Sequence, residues 1–230
     1  MSSSTQSFSR SYFLSSVVKK QIMAVTGLLL CGFLLGHLAG NLLIIISPDA
    51  FNQYGHALVS NKPLLYTAEA GLIVLFLVHL CMAAKLTVEN NTARPQKYFI
   101  KQKTGRGATF ASSTMPYTGL IILIFLITHL NSFKYGTVYM TTIDGVEMRD
   151  LYRTVMEFFA QPLGAAWYAF AMIAMAIHVS HGFWSAFQSF GFFHNKYTPL
   201  LRKAGIAYAI LVGAGFTGLA LYGYIQGVQA

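Results

Sequence analysis

Apolar residues fall in five long runs along this chain, at roughly 22–46, 64–86, 117–133, 163–187 and 204–225, with polar segments between them. A helix that crosses a bilayer needs about 20 apolar residues, in a range of about 17 to 25, and every run reaches that length. The pattern predicts an all-α membrane protein with five transmembrane helices, forming a single transmembrane domain over 22–227. Residues 1–21 read as a polar, basic N-terminal arm whose Tyr12, Phe13 and Leu14 suit the lipid surface. The first run is followed by no small-residue cleavage site and by four more runs, so it reads as a span rather than a signal peptide.

The segments between runs carry weaker signals. A short outer loop holds Asn52-Gln53-Tyr54-Gly55-His56, and Thr87 to Met115 is a basic loop punctuated by Arg94-Pro95 and Gly105-Arg106-Gly107. After the third run, Leu151 to Phe159 reads as a short amphipathic interfacial helix, because Leu151, Val155, Phe158 and Phe159 approximate one face. The fifth run has no histidine and is rich in glycine (Gly205, Gly213, Gly215, Gly218), which suits close helix packing.

Within the runs, one stretch occurs twice. Thr26-Gly27-Leu28 leads to His37-Leu38, and Thr118-Gly119-Leu120 leads at the same spacing to His129-Leu130. Phe33 and Phe125 each stand four residues before the histidine. Eleven residues is close to three helical turns, so threonine, phenylalanine and histidine share a face of each helix. If the repeat carries function, the two threonines should lie toward the interior of the bundle, nearer its inner end, rather than in lipid.

Composition supports the membrane reading. Only 10% of the 230 residues are charged, against about 25% in a soluble domain. Sixteen lysines and arginines divide twelve to four between alternate sides of the spans, which places the N-terminus in the cytoplasm. The net charge of +9 is therefore mostly topological, with an acidic partner on that face as a second source; it does not call for nucleic acid. Cys31 and Cys81 lie inside runs and read as packing residues, and no Cys-x-x-Cys-His motif attaches a c-type haem.

Five of the seven histidines lie within runs, where an ionisable group is costly and is by default a functional hypothesis. For one alone, hydrogen bonding between helices is an adequate bland account. Four together pair by depth. His37 and His129, on outward-running spans one and three, fall in the outer half; His79 and His178, on inward-running spans two and four, fall in the inner half. Two facing imidazoles at one depth are what a bis-histidine haem requires, and the two layers would stand about 15 Å apart in a core of about 30 Å. Zinc would want three or four clustered ligands. A proton relay would want acids, yet Glu69 is the one acid in any run. His181, three residues after His178, competes with it as a ligand on spacing alone. His56 and His194 read as solvated.

These residues resemble the five-helix, di-haem cytochrome b subunit that anchors succinate dehydrogenases and fumarate reductases. The resembling motifs are Lys20-x-x-Met23-Ala24-x-Thr26-Gly27 with His37-Leu38-x-Gly40-Asn41-Leu42, Asn52-x-Tyr54, and Glu69-Ala70-Gly71 with His79. They continue through Asn90-x-x-Ala93-Arg94-Pro95, Met115-x-x-Thr118-Gly119 with His129, and His178-x-x-His181-Gly182-Phe183-Trp184. The likeness runs from about residue 19 to 215 and implies that His37 and His129 ligate a distal haem b and His79 and His178 a proximal one. It favours His178 over His181, because glycine follows four residues later and an aromatic two beyond that.

The resemblance further implies two b haems, menaquinone or another quinone as substrate, and a multi-pass location in a bacterial cytoplasmic membrane. Flavoprotein and iron–sulfur subunits would dock on the basic cytoplasmic face. The succinate/fumarate site is not expected on this chain, which has neither a nucleotide-binding glycine loop nor a cysteine cluster. Glu69 reads either as a group handling quinol protons or as a snorkelling glutamate. Gln188 and Trp184 read as quinone-pocket or aromatic-belt residues. Arg94, Lys97 and Arg106 read as haem-propionate partners or as topological charges. Two alternatives stay open: the haem b anchor of another respiratory oxidoreductase, and a haem-free helical transporter or scaffold.

Overall fold

The structure, a computed structural model, describes residues 15–93 and 109–229. Residues 1–14 of the expected N-terminal arm, with Tyr12, Phe13 and Leu14, and Arg94, Lys97 and Arg106 lie outside the described residues. Five helices are long and apolar enough to cross a membrane: span one Ser16–Ile46, span two Lys62–Thr92, span three Phe110–Lys134, span four Pro162–Ser189 and span five Thr198–Val228. Their starts follow local chemistry. Ser15, Asn61 and Thr109 cap spans one to three, each side-chain oxygen accepting a backbone N–H three residues on, and Pro162 opens span four.

Span one begins at Ser16, six residues ahead of the apolar run. Lys19, expected in the polar arm, is buried within it and forms an ion pair with Glu89 near the end of span two. That pairing lets the helix extend through residues whose charge suggested an exposed segment. The expected outer loop is also mostly helix, Pro48–Ser60, capped by Ser47.

The third departure is a β-hairpin, Met140–Ile143 with Val146–Arg149. It turns on Asp144-Gly145, both with positive φ (53° and 78°), the dipeptide that a tight hairpin of this kind favours. The amphipathic helix forms as expected at Leu151–Phe159. Together these short elements cap one end of the bundle; the opposite end, where span two ends and span three begins, is open among the described residues.

Span four is the centre of the packing. Ala171, Met172, Ala174, Met175 and Val179 are buried on it, and span five lies along it through Gly205 and Gly213, where an added Cβ would meet the Ser180 carbonyl at 3.1 Å and Ala176 at 2.7 Å. Small residues let helices approach this closely without a hydrophobic driving force between them. Span one touches spans two, four and five, span three packs on span four, and spans two and three meet in few places. The last two expose most of their surface and are apolar all round, as helices facing lipid should be.

Asn52 holds the cap together. It is 3% exposed; its Oδ1 accepts the Tyr152 N–H at 2.9 Å, and its Nδ2 donates to Asp150 Oδ1 at 3.0 Å. Asp150 in turn caps the Leu151–Phe159 helix. Asn52→Ala removes both bonds and strands the Tyr152 N–H, and should cost about 1–3 kcal/mol. A thermal melt in detergent should show a clear drop; an unchanged melt would mean that the cap does not depend on this residue.

Candidate histidine site

The repeated Thr-Gly step is a seat for a histidine from another span. Thr26 on span one lies with Oγ1 3.1 Å from His79 Nδ1 on span two, and Thr118 on span three lies with Oγ1 3.1 Å from His178 Nδ1 on span four. Both threonines are buried, 6% and 5% exposed, so neither faces lipid. The glycine beside each makes room for the ring. A Cβ on Gly27 would stand 3.2 Å from His79 Cε1, and one on Gly119 would stand 3.5 Å from His178 Cε1.

The geometry of the two hydroxyls favours one tautomer. Each threonine has one O–H, and it reaches back along its own helix: Thr26 to the Ile22 carbonyl at 2.9 Å, Thr118 to the Thr114 carbonyl at 3.1 Å. With that proton committed, the contact to the histidine is made by Nδ1–H donating to Oγ1. The Nε2 lone pair of His79 and of His178 is then free. An imidazole held by its Nδ1–H with Nε2 bare is prepared to ligate a metal.

Eleven residues toward the cap, about 16 Å along the helix axis at 1.5 Å per residue, the second pair meets directly. The His37 and His129 ring centres are 5.8 Å apart with planes at 89°. Phe33 stacks on His37 at 5.2 Å and Phe125 on His129 at 5.5 Å, so the repeat supplies an aromatic backing from one turn below in both copies. Tyr168 OH lies 3.2 Å from His129 Nδ1, and Asn41 Nδ2 lies 3.4 Å from His37 Nδ1 while donating to the His37 carbonyl at 2.7 Å. Among the described residues no hydrogen bond is made to Nε2 of any of the four histidines.

No protein-family model, curated protein or solved structure matches the chain. Among the described residues no three His, Cys, Asp or Glu side chains cluster as one metal site; the histidines come as a facing pair and as two matched seats.

Span three does not end as a regular helix at His129. It passes into a π-helical turn, Leu130–Lys134, a local widening often associated with functional sites. Arg149 of the hairpin donates to the Phe133 carbonyl of this turn at 2.9 Å. The Phe133 ring in turn packs on His129 at 5.4 Å and on Tyr168 at 5.8 Å. The cap thus reaches the capped-end histidines through one arginine and one phenylalanine. Sequence reading missed Tyr168 and Arg149, because neither belongs to the repeat and their partners lie 39 and 16 residues away.

The remaining candidates scatter. Glu69 is paired with Lys134 at the capped end, whereas Gln188 is exposed near the open end of span four; the two do not form one pocket. Trp184 carries the Arg202 guanidinium over its ring at 4.5 Å. His56 lies on the short Pro48–Ser60 helix, and His194 accepts the Lys196 N–H in a local turn.

The seats predict a graded response. Thr26→Val and Thr118→Val keep the volume but leave a buried imidazole N–H without its acceptor, and each should cost about 1–3 kcal/mol. Gly27→Ala, at the tighter approach, should lower the melting temperature more than Gly119→Ala. Differential scanning in detergent checks both; equal and negligible effects would mean that the seats do not hold the rings.

Proposed function

We propose that this chain is the membrane-anchor cytochrome b subunit of a succinate:quinone oxidoreductase, with two b haems. The observation that carries the reading is that two matched seats hold Nδ1 of His79 and His178 on threonine hydroxyls at one level of the bundle, while the His37 and His129 rings face each other at the next. His79 and His178 would hold one haem, and His37 and His129 the other. The separation of the capped-end pair fits: with metal–nitrogen bonds of about 2 Å, two imidazoles on one metal have ring centres about 6 Å apart, and 5.8 Å is observed. Each haem, when bound, supplies reversible one-electron chemistry tuned by its axial ligands and their hydrogen bonds.

The protein's own contribution is orientation and insulation. Thr26 and Thr118 fix the tautomer and plane of the open-end ligands, and hydrogen bonding of Nδ1 makes the free nitrogen a better ligand. Phe33, Phe125 and Phe216 pack on the capped-end rings and exclude water from them. A spacing of about 16 Å between levels suits electron transfer across the membrane. On this reading the basic open end meets the iron–sulfur subunit, which passes electrons to or from the flavoprotein, and menaquinone or another quinone is the membrane substrate. Residence in a bacterial cytoplasmic membrane belongs to the same proposal. Histidines that only bridge helices would account for the threonine contacts, but would give no reason for two matched seats at one level and a facing pair at the next.

A pyridine haemochrome assay on the purified chain should give two b haems per polypeptide, and a tagged chain should recover a flavin-bearing partner with succinate-oxidising activity. A chain expressed with ample haem that shows no Soret band would rule out the cytochrome reading. Haem with a different oxidoreductase partner would reject the succinate assignment alone.

A further inference from the structure

One intramembrane histidine has no role in the pairs above. His181 Nδ1 is buried with no hydrogen-bond partner, one of two such side-chain atoms among the described residues. Buried polar atoms in native proteins are almost always satisfied, so an orphan asks for a missing partner. The His181 ring meets Trp184 edge-on at 5.3 Å, and Arg202, reaching over from span five, lies on the Trp184 ring at 4.5 Å. Arg202 is exposed and forms no ion pair among the described residues.

The position of this group narrows its partner. Residues three apart are neighbours on a helix surface, so His181 sits beside His178, one turn nearer the open end. Trp184, a further turn along, leads to the arginine. An imidazole donor followed by a guanidinium, in line toward the membrane surface, is a receptor for an oxyanion that enters from beside His178. Glu89, the acid at this end of the bundle, is already paired with Lys19.

We propose that His181, backed by Arg202, binds a carboxylate of the haem held by His178; the inference rests on the cytochrome reading above. Haem b carries two propionates, and they are the anions that ligation at His178 would bring to this level. Nδ1–H of His181 donates to the carboxylate, Trp184 holds the ring edge-on, and Arg202 offsets the negative charge near the surface. His181 is then a positioning and charge-balancing residue, not an iron ligand.

Redox titration of each haem band in the intact complex tests this. His181→Leu should keep two haems but lower the midpoint potential of the band that is lost in His178→Leu, since an uncompensated carboxylate favours the ferric state. His181→Gln retains an N–H donor and should stay near the parent value, and Arg202→Gln, changed at an exposed side chain, should shift the same band downward. The other band should not move. Unchanged potentials in both His181→Leu and Arg202→Gln overturn the inference, as would be expected if the group binds a lipid phosphate instead. Should His181→Leu fail to fold, an unmoved band in Arg202→Gln decides against it. Loss of one haem in both His181 variants would make His181 a ligand and also overturn it. A parent chain without haem defeats the cytochrome reading itself, an outcome distinct from all of these.

Discussion

A histidine that is to ligate through Nε2 must keep its proton on Nδ1, and inside a bilayer no water holds that proton in place. In this bundle two buried threonine hydroxyls do so. Each donates its own O–H to a carbonyl of its helix and is left as an acceptor for a neighbouring span. The glycine that follows lets the ring come close enough to use it. Much of the architecture is arranged so that these two short contacts recur at one level.

The eleven-residue spacing then sets the second level. Because threonine and histidine share a helix face three turns apart, a span that seats another span's histidine at one depth presents its own at the next. Spans one and three each do both. Span four ties the system together, carrying His178 toward the open end and Tyr168 toward the cap while burying its opposite side against span five. The cap adds a further constraint through Arg149, Phe133 and Asn52. On the proposed reading these are the parts that would hold two haems rigidly in a medium where loose polar groups are costly.

How much of this was visible in the residues depends on range. The five spans were legible because hydropathy over some twenty residues is a strong signal, and the repeat at helical spacing turned the threonines inward, though not onto the histidines they meet. The start of span one was not, because Lys19 reads as polar until Glu89, 70 residues away, is brought against it. Helix Pro48–Ser60 was hidden by its polar Asn52-Gln53 step, and Asn52 is polar for a reason that lies in Tyr152 and Asp150. The hairpin carried a proper Asp-Gly turn signal, but strands of four residues are too short to alternate convincingly. Tyr168 was lost among the chain's thirteen tyrosines, since nothing local marks it as the partner of His129.

The central claim is that four histidines act as two pairs, His79 with His178 and His37 with His129. Single replacements by leucine, read by low-temperature optical spectra of the purified complex, test it most directly. The account predicts that His37 and His129 variants lose one and the same haem band, that His79 and His178 variants lose the other, and that each variant keeps the band it does not touch. Loss of a common band in the His37 and His79 variants, or spectra unaffected by any of the four, would contradict it.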